Sequence, residues 1–317
     1  MTVTFSVYQA GCGLEDELAR LCSQALHGRT DRRPVTADLV ASRLAAGAGQ
    51  PVTLLAAVRD PDRRLIAAAA LRWPYVRTGI GRLWGPVVHP HRQGHRLGTG
   101  LLAAISQRFG DPSGLPAVTT TEIPSAATAA HALFTRARWA RLDGPLLLRG
   151  PIPPDLGTPP PAAVHTAQTT TPTDLAAQIS RLYAATYPDH DPRTAHDTLR
   201  RWSTDHRYHP SGLLLTGSAD QPTAAALLYP LTNHHVDDEP SELLIADLLT
   251  DRCLTAVEQF TTCRDLVRAA LLHGAGHGAT VARAVLPAHR AQAIAALDAA
   301  GVTRRDRFTL YTPPTTS

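Results

Sequence analysis

The stretch from Val87 to Leu102, VVHPHRQGHRLGTGLL, gathers residue types that bind a phosphorylated ligand. An apolar strand end passes Pro90 into a turn of Arg92, Gln93, Gly94, His95 and Arg96, and Gly98 then opens an apolar helix. Glycines let backbone N–H groups face a ligand without a Cβ in the way. A helix start adds unpaired donors and partial positive charge. Arg92 and Arg96 add full charges, so the segment reads as a diphosphate cradle. The glycines at 94, 98 and 100 do not spell the dinucleotide pattern GxGxxG, and no acid follows at that motif's spacing. All 31 basic residues are arginine. That excludes a Walker A loop, a pyridoxal phosphate Schiff base and a lysine base.

The elements around this turn follow from periodicity and punctuation. In the first half, strands are predicted at Val3–Tyr8, Val52–Val58, Leu65–Trp73, Leu83–Val88, Val118–Ile123 and Leu146–Leu148. Helices are predicted at Leu14–Leu26, Thr36–Ala45, Gly98–Phe109 and Ala126–Ala137. The turn RDPDR joins a hairpin. Gly85-Pro86 marks a bulge, because proline cannot donate to the ladder. The order is βααβββαβαβ.

At 317 residues the chain has room for two domains, and the second half repeats the first. LIAAAALRWPY from Leu65 is echoed by PTAAALLYPL from Pro222. Ile123-Pro124 matches Leu286-Pro287, Trp139 matches Val302, Asp143 matches Asp306, and Leu148 matches Tyr311, all at one offset. Between the halves, residues 151–173 are rich in Pro and Thr and are expected to form a semi-rigid linker. The expected domains are therefore 1–150 and 174–313. Residues 1–150 carry 18 arginines against 10 acids, and the rest 13 against 17. The basic half is expected to meet an anion. No recognition helix or zinc-finger pattern accompanies the scattered arginines, so nucleic acid is not expected. The purest apolar run, Leu65–Leu71, is too short to span a membrane. Cys12, Cys22, Cys253 and Cys263 form no CxxC pair, and no signal peptide opens the chain, so a cytoplasmic protein is expected. His89, His91 and His95 flank a proline and a tight turn without carboxylates, and no metal is expected.

These residues resemble the GNAT superfamily of N-acetyltransferases. Its acetyl-CoA motif is a bulged strand, a V-x-P step and Q/R-x-x-G-x-G/A at a helix start. Val88-His89-Pro90 and Gln93-Gly94-His95-Arg96-Leu97-Gly98 supply it here, followed by Thr99, Gly100, Leu101 and Leu102. Arg96 replaces the first motif glycine. The resemblance implies an α/β fold of two tandem GNAT-like domains. Each would be a mixed, mostly antiparallel central sheet with a splayed strand pair, flanked by helices. It implies that the backbone of Val87 and Val88 pairs with a pantetheine arm. Gln93, Gly94, His95, Arg96, Leu97, Gly98 and Thr99 would hold the pyrophosphate of acetyl-CoA or another acyl-CoA. The family's later motif, a helix Tyr and then a Gly-aromatic step, falls on AHALFTRARWARL. Phe134 takes the Tyr place, Arg138 the Gly place and Trp139 the aromatic place. Phe134 cannot protonate a leaving thiolate.

The activity implied is acyl transfer to a primary amine of a small molecule, in actinobacterial secondary metabolism or resistance. A base must take a proton from the amine. Glu122, the strand carboxylate of the first half, ranks first and His89 second. The alternatives are a donor on an acyl carrier protein, whose acidic surface would meet the basic turn, and an inactive CoA-binding or structural module. The second half has no glycine between Gly217 and Gly274, so it is read as a degenerate copy serving packing, dimerisation or the acceptor pocket. Asp237, Asp238 and Glu239 sit there with His234 and His235 in an expected loop. The chain is expected to act as a monomer or homodimer.

Overall fold

The computed structural model describes residues 2–9, 11–25, 35–44, 53–72, 80–109, 118–156, 163–167, 172–188, 210–218, 221–231 and 241–313. The expected features at Trp73-Pro74, at His234 and His235, and at Asp237, Asp238 and Glu239 lie outside them. The chain divides into two compact units, residues 1–143 with 309–317, and residues 144–308.

Unit 1 is a mixed sheet of β1 (Thr4–Tyr8), β2 (Thr53–Arg59), β3 (Leu65–Arg72), β4 (Ile80–Val88) and β5 (Val118–Pro124), in that order. The pairs are antiparallel except β4 with β5, which is parallel. β12 (Thr303–Thr312) lies next to β5 and contributes its end, from Thr309, to this unit. Helices α1 (Glu15–Ala25) and α2 (Ala37–Leu44) cover one face, and α3 (Leu97–Phe109) and α4 (Thr128–Arg136) the other. The alanine run of β3 serves both faces. Ala67 and Ala69 join the core under α3 and α4, while Ala68 and Ala70 join the core under α1 and α2. Alanine favours helix intrinsically, but a strand buried on both faces overrides that preference. Each fully buried leucine or isoleucine of α3 contributes about 1.5–3 kcal/mol, and Leu101, Leu102 and Ile105 are all of this kind.

The turn between β1 and α1 is tied by one buried carboxylate. Glu15 Oε1 accepts from the Tyr8 hydroxyl at 2.8 Å and from Gly11 N at 2.7 Å. Burial opposes the charge on Glu15. The bonds from its own amide, Tyr8, Gly11 and Gly13 outweigh that and hold its carboxyl below the ordinary 4.5. Burial, aided by this carboxylate, pushes the Tyr8 hydroxyl well above its ordinary value.

Unit 2 has strand order β6, β11, β10, β9, β8, β7. These are β6 (Ala140–Pro151, from Gly144), β7 (Val164–Thr166), β8 (Leu213–Gly217), β9 (Pro222–Leu231), β10 (Glu242–Thr250) and β11 (Val281–Leu286). The β10–β11 pair is parallel and the other pairs are antiparallel. Helices α6 (Ala256–Gly276) and α7 (Ala291–Ala299) pack on one face and α5 (Pro172–Thr186) on the other. The repeat is visible in backbone angles. Ala127 before α4 has φ −84° and ψ 60°, and Arg290 before α7 has φ −81° and ψ 56°. Arg138 and Gly301, just past those helices, are both left-handed, with φ +59° and +81°. Among the described residues no helix is long and apolar enough to cross a membrane, and no disulfide joins the four cysteines.

Two expectations are corrected. The last strand of the first half was placed at Leu146–Leu148 as the closing strand of domain 1–150. It runs from Ala140 to Pro151, and from Gly144 it belongs to unit 2, pairing with β11 from Leu146–Leu286 to Pro151–Val281. Its repeat partner does the reverse. Leu148 is in a unit 2 core, and Tyr311 is in the core of unit 1. The segment 151–173 is also not simply a linker. Ile152 is buried with its amide on Thr280 O, Val164–Thr166 pairs with β8, and α5 begins at Pro172. Three residues of strand leave no readable alternation, which is why the Pro and Thr content dominated.

Because unit 1 draws residues 309–317 from beyond unit 2, a chain ending at Pro159 is expected to show no cooperative thermal melt by circular dichroism. Tyr311→Ala should cost about 3–5 kcal/mol in denaturant titrations, and Tyr311→Phe about 1 kcal/mol. Glu15 stabilises the fold while ionised. That contribution is present above about pH 4.5 and is lost as pH falls through the lowered folded value. Glu15→Gln should therefore flatten the acid limb of a stability-versus-pH curve.

Candidate acyl-donor site

Among the described residues, β4 and β5 pair from Ile80–Val118 to Arg82–Thr120. β4 is also paired with β3 from Arg82 on, and past Arg82 that pairing continues alone, through a bulge between the pairs Ala70–Trp84 and Ala68–Val87. Gly85, inside the bulge, has φ +82°, and a Cβ there would lie 2.9 Å from Val87 N and 3.0 Å from Ala68 O. Only glycine fits, so the expected bulge at Gly85-Pro86 is present.

The bulge sets which backbone groups face the gap. His89 N donates to Ile66 O at 2.9 Å. Hydrogen-bonded and non-hydrogen-bonded pairs alternate along an antiparallel ladder. Val87, opposite Ala68, therefore turns its polar groups to β3. Val88, opposite Ala67, turns its N–H and C=O to the open side. Gln93 Nε2 donates to Val88 O at 3.2 Å and ties the turn to the strand end. Of the two residues expected to offer backbone to a pantetheine arm, Val88 faces the gap and Val87 does not.

The turn then leads to α3. Pro90–Arg92 forms a single 3-10 turn, with Arg92 N on His89 O and Gln93 N on Pro90 O. Gly94 has φ +81° and Arg96 φ +61°. Arg96 thus adopts the backbone that a glycine would take there, at about 1–2 kcal/mol for a residue with a side chain. Arg92, Gln93, Gly94, His95 and Arg96 are all exposed, while Leu97 is buried and anchors the helix start. Gly100 N donates to Arg96 O. The amides of Leu97, Gly98 and Thr99 precede that bond and fall in the unpaired first turn. A Cβ on Gly98 would lie 3.1 Å from Leu133 Cδ2 and 3.8 Å from Val88 Cγ2, so the helix start, α4 and the end of β4 meet there. The histidines brace this turn. His89 Nδ1 accepts from His91 N at 3.3 Å, and His95 Nδ1 donates to Gln93 O at 3.0 Å. Among the described residues no three His, Cys, Asp or Glu side chains converge as a metal would require.

Glu122 lies two residues past the last β4–β5 pair. Its neighbours Thr121 and Ile123 are buried, so its side chain points to the opposite face. Arg82 Nη1 donates to Glu122 Oε1 at 2.8 Å. Arg82 was not singled out in the sequence, because 40 residues separate the partners. Phe134 is 1% exposed, edge-on to Trp139 and stacked on Tyr311 at 5.1 Å. His131, one turn earlier, lies 3.0 Å from both Pro124 O and the Tyr311 hydroxyl. A carbonyl only accepts, so His131 Nε2 carries a hydrogen toward Pro124 O, and Nδ1 shares a hydrogen bond with the Tyr311 hydroxyl. The place of the family's Tyr is a closed aromatic core, with a hydroxyl supplied from β12.

Comparison with known proteins agrees with this geometry. Residues 21–138 match the acetyltransferase (GNAT) family. That match lies within unit 1, and the chain as a whole has the fold of tandem GNAT proteins. A GCN5-related N-acetyltransferase from Sphaerobacter thermophilus superposes with TM-score 0.70 at 16% identity, covering 99% of this chain and 97% of that one. A tandem GNAT protein from the clavulanic acid biosynthesis pathway gives TM-score 0.67 at 17% identity, with 100% of both chains covered. Saccharomyces cerevisiae N-myristoyltransferase with bound myristoyl-CoA gives 0.67 at 13% identity, over 98% of this chain and 82% of that one. No curated protein sequence matches the chain.

Arg96 and Arg138 hold left-handed backbone with full side chains. Arg96→Gly and Arg138→Gly are each expected to raise stability by up to about 1 kcal/mol, after the greater freedom of glycine in the unfolded chain is subtracted. Thermal melts of the two variants check this.

Proposed function

We propose that unit 1 transfers an acyl group from acetyl-CoA, or another acyl-CoA, directly to a primary amine of a small molecule. One observation carries this reading: Val88, whose N–H faces the gap while its C=O is tied to Gln93, leads within one turn to the unpaired amides of Leu97, Gly98 and Thr99. An extended amide arm finds a strand edge at the first. A diphosphate finds helix-start donors and the exposed charges of Arg92 and Arg96 at the second. The thioester supplies the activated acyl carbon. Val88 N–H can donate to a carbonyl oxygen lying in the gap. Glu122 is the proton acceptor for the attacking amine, with Arg82 fixing its other oxygen. His89 is the weaker candidate, because its Nδ1 is held by the His91 amide. Phe134 has no proton to give. A thiol of pKa about 8.5 leaves as thiolate without an acid. The fold shared with a tandem GNAT protein of the clavulanic acid pathway supports an acceptor from secondary metabolism.

Calorimetry of the full chain with acetyl-CoA is expected to give micromolar binding. Glu122→Gln should leave that affinity unchanged and lower kcat by about 10²–10⁴-fold, read as thiol release with an amine acceptor. An unchanged kcat would remove Glu122 from the role. Failure to bind acetyl-CoA, together with turnover of an acylated carrier protein, would transfer the donor role to the carrier, whose acidic surface suits the exposed Arg92 and Arg96.

A further inference from the structure

Unit 2 repeats the strand divergence of unit 1. β10 and β11 pair from Glu242–Val281 to Ile245–Ala284, and Ala246 then bulges from the pairing of β10 with β9. Asp251 N donates to Thr223 O, as His89 N does to Ile66 O. By the same alternation Leu248 and Thr250 turn their N–H and C=O groups away from β9, to the side where pairing with β11 has ended.

All four of those groups are bonded to side chains of unit 2 itself. Leu248 N donates to Asp247 Oδ1 at 2.8 Å, and Leu248 O accepts from Arg290 Nη2. Thr250 N donates to Thr186 Oγ1 at 3.0 Å, and the same hydroxyl lies 3.2 Å from Thr250 O. The side chains that do this are buried, Thr186 and Arg290 at 9% and Asp247 at 7% exposure. Tyr187 donates its hydroxyl to Asp247 Oδ1 at 2.8 Å, and the Arg290 guanidinium lies 5.3 Å from the Tyr187 ring centre. Arg290 stands at the cap position that Ala127 holds in unit 1, with the same backbone angles. A long side chain there reaches back to β10, and an alanine cannot.

The next helix start is closed as well. Thr255 N and Oγ1 both donate to Glu258 Oε2, at 2.7 and 2.8 Å, and Glu258 N donates to Thr255 Oγ1 at 3.3 Å. A carboxylate of the chain therefore occupies the α6 N-terminus, where a phosphate would meet like charge. The corresponding helix start in unit 1 has Arg96 and open amides.

We infer that unit 2 is a self-occupied copy. Buried Asp247, Arg290 and Thr186 bond every group of the strand edge whose counterpart in unit 1 leaves the Val88 N–H for a ligand, so the chain holds one acyl-CoA, in unit 1. This inference rests on the acyl-CoA reading of unit 1.

Residue-resolved amide hydrogen exchange on the full chain, with and without acetyl-CoA, tests it alongside calorimetry. Leu248 and Thr250 should exchange slowly without ligand and show no change when acetyl-CoA is added. Val88 should slow only with acetyl-CoA. Binding should fit one site and vanish in Gly98→Val. Thr186→Val should speed Thr250 exchange about tenfold, the loss of one to two hydrogen bonds, while the single site remains. Two sites, a site that survives Gly98→Val at unchanged affinity, or new protection at Leu248 and Thr250 on adding acetyl-CoA would each overturn the inference. If acetyl-CoA gives neither heat nor protection at Val88, the reading of unit 1 fails. Fast exchange at Leu248 and Thr250 in the ligand-free protein would refute the closed edge whatever unit 1 binds.

Discussion

A backbone amide that leaves its neighbouring strand must find another partner or meet solvent. Both units contain a parallel strand pair that comes apart after a few residues, at Arg82–Thr120 and at Ile245–Ala284. In unit 1 the bulge at Gly85 and Pro86 directs Val88 to the gap, and the chain then runs straight into a helix start with open donors. In unit 2 the same exposure is met from within by Thr186, Asp247 and Arg290. The two units thus answer one geometric problem in opposite ways. The alanine strands next to them have small side chains that let helices pack on both faces of each sheet.

Much of unit 1 was legible because its signals are local. Gly85-Pro86 announces a bulge by residue type alone. Gly94, Arg96 and Gly98 announce a turn into a helix, and Arg96 keeps the left-handed backbone of the glycine it replaces. The alanine run of β3 is short, apolar and bounded by arginines, which suits a buried strand better than a helix. The repeat was legible too, through matched residues at a constant spacing.

What was not legible depends on which distant segments meet. The spacing that matches Leu148 to Tyr311 says the two strands are equivalent, yet it carries no information about which sheet each one joins. The facing of Val88 rather than Val87 depends on the ladder parity after a bulge, not on residue type. Arg82 with Glu122, and Asp247 with Arg290, are pairs made by topology across long stretches of chain. Val164–Thr166 is too short to show a period, so composition outweighed pairing there.

The late strand also has a meaning for biosynthesis. Residues 1–143 leave the ribosome well before residues 309–313, which unit 1 requires. At about 5–20 residues per second the delay is roughly 10–30 s. Throughout it, β5 presents an unpaired edge and Phe134 lacks the ring it stacks on. Such an edge invites pairing with other chains, so the nascent protein passes through a window in which a chaperone has something specific to shield.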